Sequence, residues 1–503
     1  MKLRRNIIAN YASQAYSAAA GILTVPAYVK YMGAEAYGLV GFYGLLQAWF
    51  LILDAGLSTT LSREVARYNG GATSAATLVQ LKRLLELLFA AVGVLGAVVF
   101  YVAAPSIATH WLQVSHLNLD DVIHSIQLMG VVITLRWMSC LYRGVITGFE
   151  NQVWLSGFNL VVTTLRFVVS IPVVAFVDSR PTTFFAYQAA VSALEVALLM
   201  QQSSRLMPRP GATTGGWDWS VLRPAMRFAS GVAFTSVIWV LVTQVDKLAL
   251  SKLLPLGRYG EFTLAVLLAG GINLLSGPIS TALVPRLTNL ASSSGHAEVE
   301  RLYRRFTQIV CTVTVPAALT LFFFSKEILF AWTGNAGLAA NASTILGLYA
   351  LGNAVLSIAA FPYYLQYARG DLRLHLIGNG IFVVFYLPMV LLATQRFSAE
   401  GAAWAWVIMN LLYLLAWIPL IHARLAPGLH YKWLLHDVAR IALAACVPFA
   451  ASPWFRLSSE GPFSNAAVAI CYGALSLACA VAASRELRKA VLGMYRNAPQ
   501  AVI

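Results

Sequence analysis

Fourteen apolar stretches of roughly 18–25 residues, divided by short polar connectors, run from Asn6 to Ala483. A helix of that length crosses the ~30 Å hydrocarbon core of a bilayer, and within lipid it satisfies its own backbone polar groups. The stretches consume most of the 503 residues, which leaves little chain for a soluble catalytic domain. Composition agrees. At 59% hydrophobic, 11% charged and a mean hydropathy of +0.71, the chain has too little polar surface for a water-soluble fold. The expected fold class is therefore all-α integral membrane, with about 14 transmembrane helices.

The basic residues orient these helices. With the N-terminus in the cytoplasm, the cytoplasmic segments hold 25 Lys plus Arg and the opposite side holds seven. That asymmetry predicts cytoplasmic N- and C-termini and accounts for most of the net charge of +15. The excess is an orientation signal and a contact for anionic head groups, so no nucleic-acid partner is expected. Met1–Arg5 is basic, but the span after it lacks a short apolar core and cleavage site, so it reads as a permanent first helix. The five cysteines lie within spans without a CxxC pair and are expected as free thiols. No HxxxH or HExxH spacing and no GxxxxGK[ST] loop occurs. No metal or cofactor is expected, and the energy source is a proton or sodium gradient or a partner protein.

An internal repeat divides the chain. Shifted by 222 residues, Lys30, Tyr37 and Gly38 fall on Lys252, Tyr259 and Gly260, and Ser58-Thr59-Thr60-Leu61 falls on Ser280-Thr281-Ala282-Leu283. The unit covers six spans, so both copies keep one orientation, related by an axis along the membrane normal. The expected organisation is an N-terminal lobe over 1–221 and a C-terminal lobe over 222–421. These two pseudo-twofold six-helix lobes surround a central cavity, and 422–503 adds two helices and a cytoplasmic tail.

Several segments carry a family resemblance. Asn6-Ile7-Ile8-Ala9-Asn10-Tyr11, Gly33-Ala34-Glu35-Ala36-Tyr37-Gly38-Leu39, Leu53-Asp54-Ala55-Gly56-Leu57, Arg63-Glu64 and Gln244-Val245-Asp246-Lys247-Leu248 resemble the signatures of Wzx-type polysaccharide flippases. These belong to the multidrug/oligosaccharidyl-lipid/polysaccharide exporter superfamily. The resemblance implies flipping of an undecaprenyl-diphosphate-linked oligosaccharide repeat unit across a bacterial inner membrane, for O-antigen, capsule or exopolysaccharide assembly. It implies the lipid bilayer as environment, and a polysaccharide polymerase and chain-length regulator as candidate protein partners. The flippase of the peptidoglycan precursor shares the fold and is a sister reading.

Ionisable residues at mid-span are costly unless they face water or a partner, so they are the candidate functional groups. Arg136, Arg166 and Glu195 fall mid-span, and Asp246 and Lys247 toward the outer end of the seventh span. A lipid-linked diphosphate needs counter-charges in the bilayer, and guanidinium groups bind phosphate oxygens bidentately. Arg136, Arg166 and Lys247 are accordingly the expected substrate-binding cations, with Trp137 and Trp239 as sugar-stacking candidates. Glu195 and Asp246 are candidate coupling groups; Glu195 is equally suited to pair with Arg166. Asp54 is a candidate organiser of the inner gate. Arg143, at an inner span end, reads as an orientation charge. Gly144-x3-Gly148 permits close helix contact. Two rival readings remain open at this point. An enzyme acting through Asp120-Asp121 would need a large outer loop, and a cation-drug exporter would favour an acidic cavity.

Overall fold

The computed structural model describes residues 2–54, 56–208, 222–293, 296–450 and 462–489. Among these residues eleven helices are long and apolar enough to cross a membrane. The chain is an all-helical, multi-pass membrane protein dividing into two compact units, Met1–Gly260 and Glu261–Ile503. The expected lobe boundary at 221 and the tail beyond 489 lie outside the described residues.

The first unit holds α1 (Lys2–Leu23), α2 (Val25–Phe50), α3 (Leu57–Asn69), α4 (Ala75–Ser106), α5 (Leu119–Gly148) and α6 (Gln152–Thr163). These are followed by α7 (Ser170–Pro172), α8 (Pro181–Leu206), α9 (Leu222–Leu253) and the first turn of α10 (Leu256–Ser293). A turn with the five-residue hydrogen bonding of a π-helix lies on each side of α7, at Thr164–Val168 and Val173–Val177. Pro172 has no N–H to return to the Val168 carbonyl, which favours rewinding there. Gly33 interrupts α2 with φ 87° and ψ 164°. A side chain is rarely accommodated there, so glycine sets the corner between the first two crossings.

Close approaches need small residues too. A Cβ on Gly144 would stand 2.5 Å from the Ser58 carbonyl, and one on Gly148 would stand 2.6 Å from that of Ser62. The Gly-x3-Gly pair therefore seats α5 against α3, as its spacing suggests. In lipid, helix association rests on such packing rather than on expulsion of water. The repeat also has a structural counterpart. A Cβ on Gly38 would lie 2.2 Å from the Leu256 carbonyl, and one on Gly260 would lie 2.3 Å from that of Ala34. Residues 34 and 256, like 38 and 260, are one repeat length apart. The contact is thus self-complementary under the sequence repeat.

The second unit contains the rest of α10, then α11 (His296–Phe323), α12 (Ser325–Thr333), α13 (Ala336–Ala359), α14 (Phe361–Arg369) and α15 (Arg373–Leu412). It ends with α16 (Ile418–Leu425), α17 (Leu429–Lys432), α18 (Arg440–Ala450) and α19 (Pro462–Ala483). At about 1.5 Å per residue α15 is near 60 Å long, twice the hydrocarbon thickness. Ser398, at φ 55° and ψ −139°, breaks it. Tyr303, Phe361, Ile418, Trp433 and Phe449 form the core of this unit. Beside them Arg304 grips Asp437 with Nε at 2.5 Å and Nη2 at 3.2 Å, and Gln308 Nε2 donates to the same carboxylate at 2.7 Å.

Candidate functional site

Helix α5 packs along α8 and carries Arg136, Ser139, Cys140 and Arg143 at i, i+3, i+4 and i+7. That spacing puts all four on one face. The face borders a cavity of about 110 Å³ within the first unit, closed by Gln47 from α2 and Glu195 from α8. Arg136 Nη1 donates to Gln47 Oε1 at 2.6 Å and to Tyr43 Oη at 3.1 Å. Both acceptors are neutral, so the Arg136 charge is solvated by dipoles and, among the described residues, is not matched by a carboxylate within ion-pair distance.

Glu195 is shared. Its Oε1 accepts from Arg143 Nη2 at 2.6 Å, and its Oε2 accepts from Arg166 Nη2 at 2.5 Å. Arg143 also donates through Nη1 to Asn159 Oδ1 at 2.5 Å, and Arg166 to Ser192 Oγ at 3.3 Å. The cluster therefore holds three guanidinium groups and one carboxylate. The exposures rank the two arginines: the Arg143 side chain is 27% exposed and that of Arg166 7%. Arg166 Nη1 is buried and makes no hydrogen bond. Trp137, in the cavity wall, stacks on Phe89 at 4.2 Å and leaves its buried Nε1 without an acceptor. What faces this space is rich in donors and positive charge, which suits an oxyanion.

The expected residues separate into two groups. Arg136, Trp137 and Glu195 meet at the cavity. Arg166, in the π turn Thr164–Val168, joins them through Glu195 but is not in the cavity wall; its side chain donates to Ser192 and Glu195 of α8. Arg143, expected as an orientation charge, contacts Glu195 and lines the cavity. Its seven-residue spacing from Arg136 was the available signal. Tyr43 and Gln47, four apart on α2, had no signal beyond being polar within a span.

Of the remaining candidates, Asp54 is outside the cavity lining but within electrostatic range of Cys140 in the wall, and the others lie elsewhere. Asp54 accepts from the backbone N–H of Ser58 at 3.2 Å and from its hydroxyl at 2.5 Å, tying the start of α3. Lys247 Nζ donates to the Thr243 carbonyl and stands 3.9 Å from Asp246 Oδ1, a buried carboxylate. Trp239 is 53% exposed on α9 and is not part of the cavity wall. Asp120 and Asp121 occupy the first turn of α5 after the Asn118 cap, where acidic side chains suit the positive end of the helix dipole. Asp121 lies 4.0 Å from Arg180, which also binds Asp178 at 2.6 Å. These acids are helix-end and loop contacts, and among the described residues no cluster of His, Cys, Asp or Glu could hold a metal ion.

Comparison with known proteins identifies the family and the fold. A family described as "Polysaccharide biosynthesis protein" matches residues 3–291. A putative O-antigen transporter of Shigella flexneri is 19% identical over 427 residues, covering 83% of this chain and 98% of that protein. A probable lipid II flippase MurJ of Rhizobium meliloti (strain 1021) is 27% identical over 218 residues, 40% of this chain and 39% of that one. Among solved structures, lipid II flippase MurJ in an inward closed conformation matches with a TM-score of 0.70 at 13% identity, covering 94% of this chain and 98% of that one. An inward-facing multidrug resistance MATE family transporter of the MOP superfamily matches at 0.67 and 12% identity, covering 82% and 96%. At such identities the structural likeness establishes the fold alone, whereas the family match extends over more than half of the sequence. The chain belongs to the polysaccharide biosynthesis, Wzx-like family, a family of transporters rather than enzymes, on the fold of the multidrug/oligosaccharidyl-lipid/polysaccharide exporter superfamily.

Proposed function

We propose that the protein flips undecaprenyl-diphosphate-linked oligosaccharide repeat units from the cytoplasmic to the outer face of a bacterial inner membrane by alternating access. The observation that carries this reading is the surplus of guanidinium over carboxylate around an intramembrane cavity. Moving a carboxylate-sized ion into a low-dielectric medium costs on the order of 20 kcal/mol in the idealised limit. A diphosphate crossing the membrane needs fixed cations along its path, and Arg136 and Arg143 supply them. The polyprenyl tail stays in lipid. A cation exporter would need the opposite sign of charge, so the drug-transport reading finds no support at this cavity.

The topology in this reading has fourteen crossings. The eleven apolar helices supply eleven, division of the Arg373–Leu425 segment at Ser398 adds one, and α1 and α9 add two. Six crossings fall in 1–221, six in 222–421 and two in 422–503, with both termini cytoplasmic. A proton or sodium gradient drives the cycle, and a polymerase and chain-length regulator receive the product.

The test is a deletion strain complemented with wild type or with Arg136→Gln/Arg143→Gln, scored for the membrane face on which lipid-linked oligosaccharide is displayed. Cytoplasmic accumulation rescued by wild type alone, at equal membrane abundance, supports the reading. Normal outward display in the deletion strain sinks it. Rescue by the double variant would retain the flippase and remove the two arginines from its substrate path.

A further inference from the structure

Glu195 is out of place in a cavity built for an anion. Its carboxylate occupies an arginine that lines the space, yet it is bound unevenly. Oε2 is anchored on Arg166, which is buried behind the wall, while Oε1 reaches Arg143 at the wall itself. Arg143 has a second hold on Asn159 Oδ1, so its guanidinium stays in place whether or not Glu195 contacts it. Arg136, on the same face of α5, is held by neutral Tyr43 and Gln47 and needs no displacement.

We infer that Glu195 is an internal counter-anion that competes with the substrate's phosphate oxygens for Arg143, pivoting on Arg166 when substrate enters and returning to expel it. This rests on the diphosphate reading of the cavity and deepens it. The three guanidinium groups and one carboxylate sum to a formal charge of about +2, with the Asp54 carboxylate within electrostatic range of Cys140 in the wall. An entering phosphate oxygen takes Arg143 Nη2, and Oε1 gives it up while the Glu195–Arg166 pair persists. Arg166 Nη1, buried and without an acceptor, is the donor available to the released Oε1. The carboxylate thus limits how tightly an anion is held. A transporter requires this, since a site that binds too well does not release. Glu195 is in these terms an affinity-setting residue, distinct from a static salt-bridge partner.

The two roles predict opposite effects of Glu195→Gln. A static partner, once removed, leaves buried arginines disordered and weakens anion binding. A competitor, once removed, strengthens it. The experiment measures binding of inorganic pyrophosphate to the full-length protein in lipid nanodiscs at low, fixed ionic strength, with flipping assayed in parallel. For Glu195→Gln we expect affinity raised about tenfold, since one competing charge near the site is removed, together with slower flipping. Unchanged or weaker binding by a variant that melts like wild type overturns the inference and leaves the diphosphate reading standing. Absence of pyrophosphate binding in both proteins overturns the diphosphate reading and the inference with it. Glu195→Asp, one methylene shorter, keeps the test open if the Gln variant does not accumulate. It should bind pyrophosphate more tightly than wild type, and equal or weaker binding again overturns the inference.

Discussion

Among the described residues each unit has a buried cluster of arginine and carboxylate, and the two are built on different principles. In the second unit a forked guanidinium meets a carboxylate along two edges, and Gln308 supplies a further donor to Asp437. Gln308 is itself fixed, its Oε1 accepting from Ser484 Oγ at 3.1 Å and from the Glu486 N–H at 3.2 Å. Each partner of this cluster answers another. In the first unit three guanidinium groups surround one carboxylate beside a cavity, and two buried N–H groups go unanswered. A matched pair fixes helices, whereas a surplus of one sign beside open space recruits a ligand. Buried charge alone does not distinguish a structural network from a binding site; the balance of charges and donors does.

That contrast can be broken by exchanging the consequences of mutation. The largest effect on folding is expected at Asp437→Ala, which strands Arg304 and Gln308 in the second unit. Removing one partner of a buried pair costs about 3–5 kcal/mol. Thermal unfolding in detergent should show a large drop, and transport should fall in step with membrane abundance. Next comes Arg136→Gln/Arg143→Gln, for which transport per molecule should fall about ten- to a hundredfold while the melting temperature changes little. If the double variant instead unfolds like Asp437→Ala, the two clusters are alike and the comparison fails.

Trp137→Phe sharpens the comparison further. The phenyl ring keeps the stack on Phe89, and the unanswered Nε1 disappears. Stability should stay within about 1 kcal/mol of wild type, and pyrophosphate affinity measured by calorimetry should change little, because Nε1 is closed off from the cavity. A clear loss of stability would show that Nε1 serves folding. The smallest effect is expected outside the membrane at Asp178, whose exposed carboxyl is held below its usual range by hydrogen bonds from Arg180. A depressed carboxyl stabilises the fold above its unfolded value of about 4 and loses that contribution as pH falls through the lower folded value. Asp178→Asn should lower the melting temperature slightly at neutral pH, and the difference should fade under acid. A difference that grows on acidification would contradict the assignment.

Much of the fold was readable because the bilayer restricts the choices. The membrane-crossing helices, the Gly144-x3-Gly148 seat and the repeat that aligns Gly38 with Gly260 all reappear in the helices and their contacts. The candidate site was readable in part. Arg136, Trp137 and Glu195 announce themselves as polar or aromatic groups at mid-span. The contact of Arg143 with Glu195 was not readable, because a position near a span end already fits an orientation charge. Lys247 and Trp239 carry the same sequence signal as Arg136 but lie outside the cavity wall, since mid-span polarity says nothing about which neighbour a helix face meets.

The sequence by itself determined that this chain spans a membrane many times, that a motif recurs at a spacing of 222 residues, and which of its charges fall within apolar stretches. Those properties follow from composition and spacing along one dimension. Only the tertiary structure decided that Glu195 is divided between Arg143 and Arg166, that Arg136 is solvated by Tyr43 and Gln47, and that Asp437 is fully matched. Those relations join helices far apart in sequence. A helical period specifies which residues share a face, and the packing of α5 on α8 specifies what that face confronts.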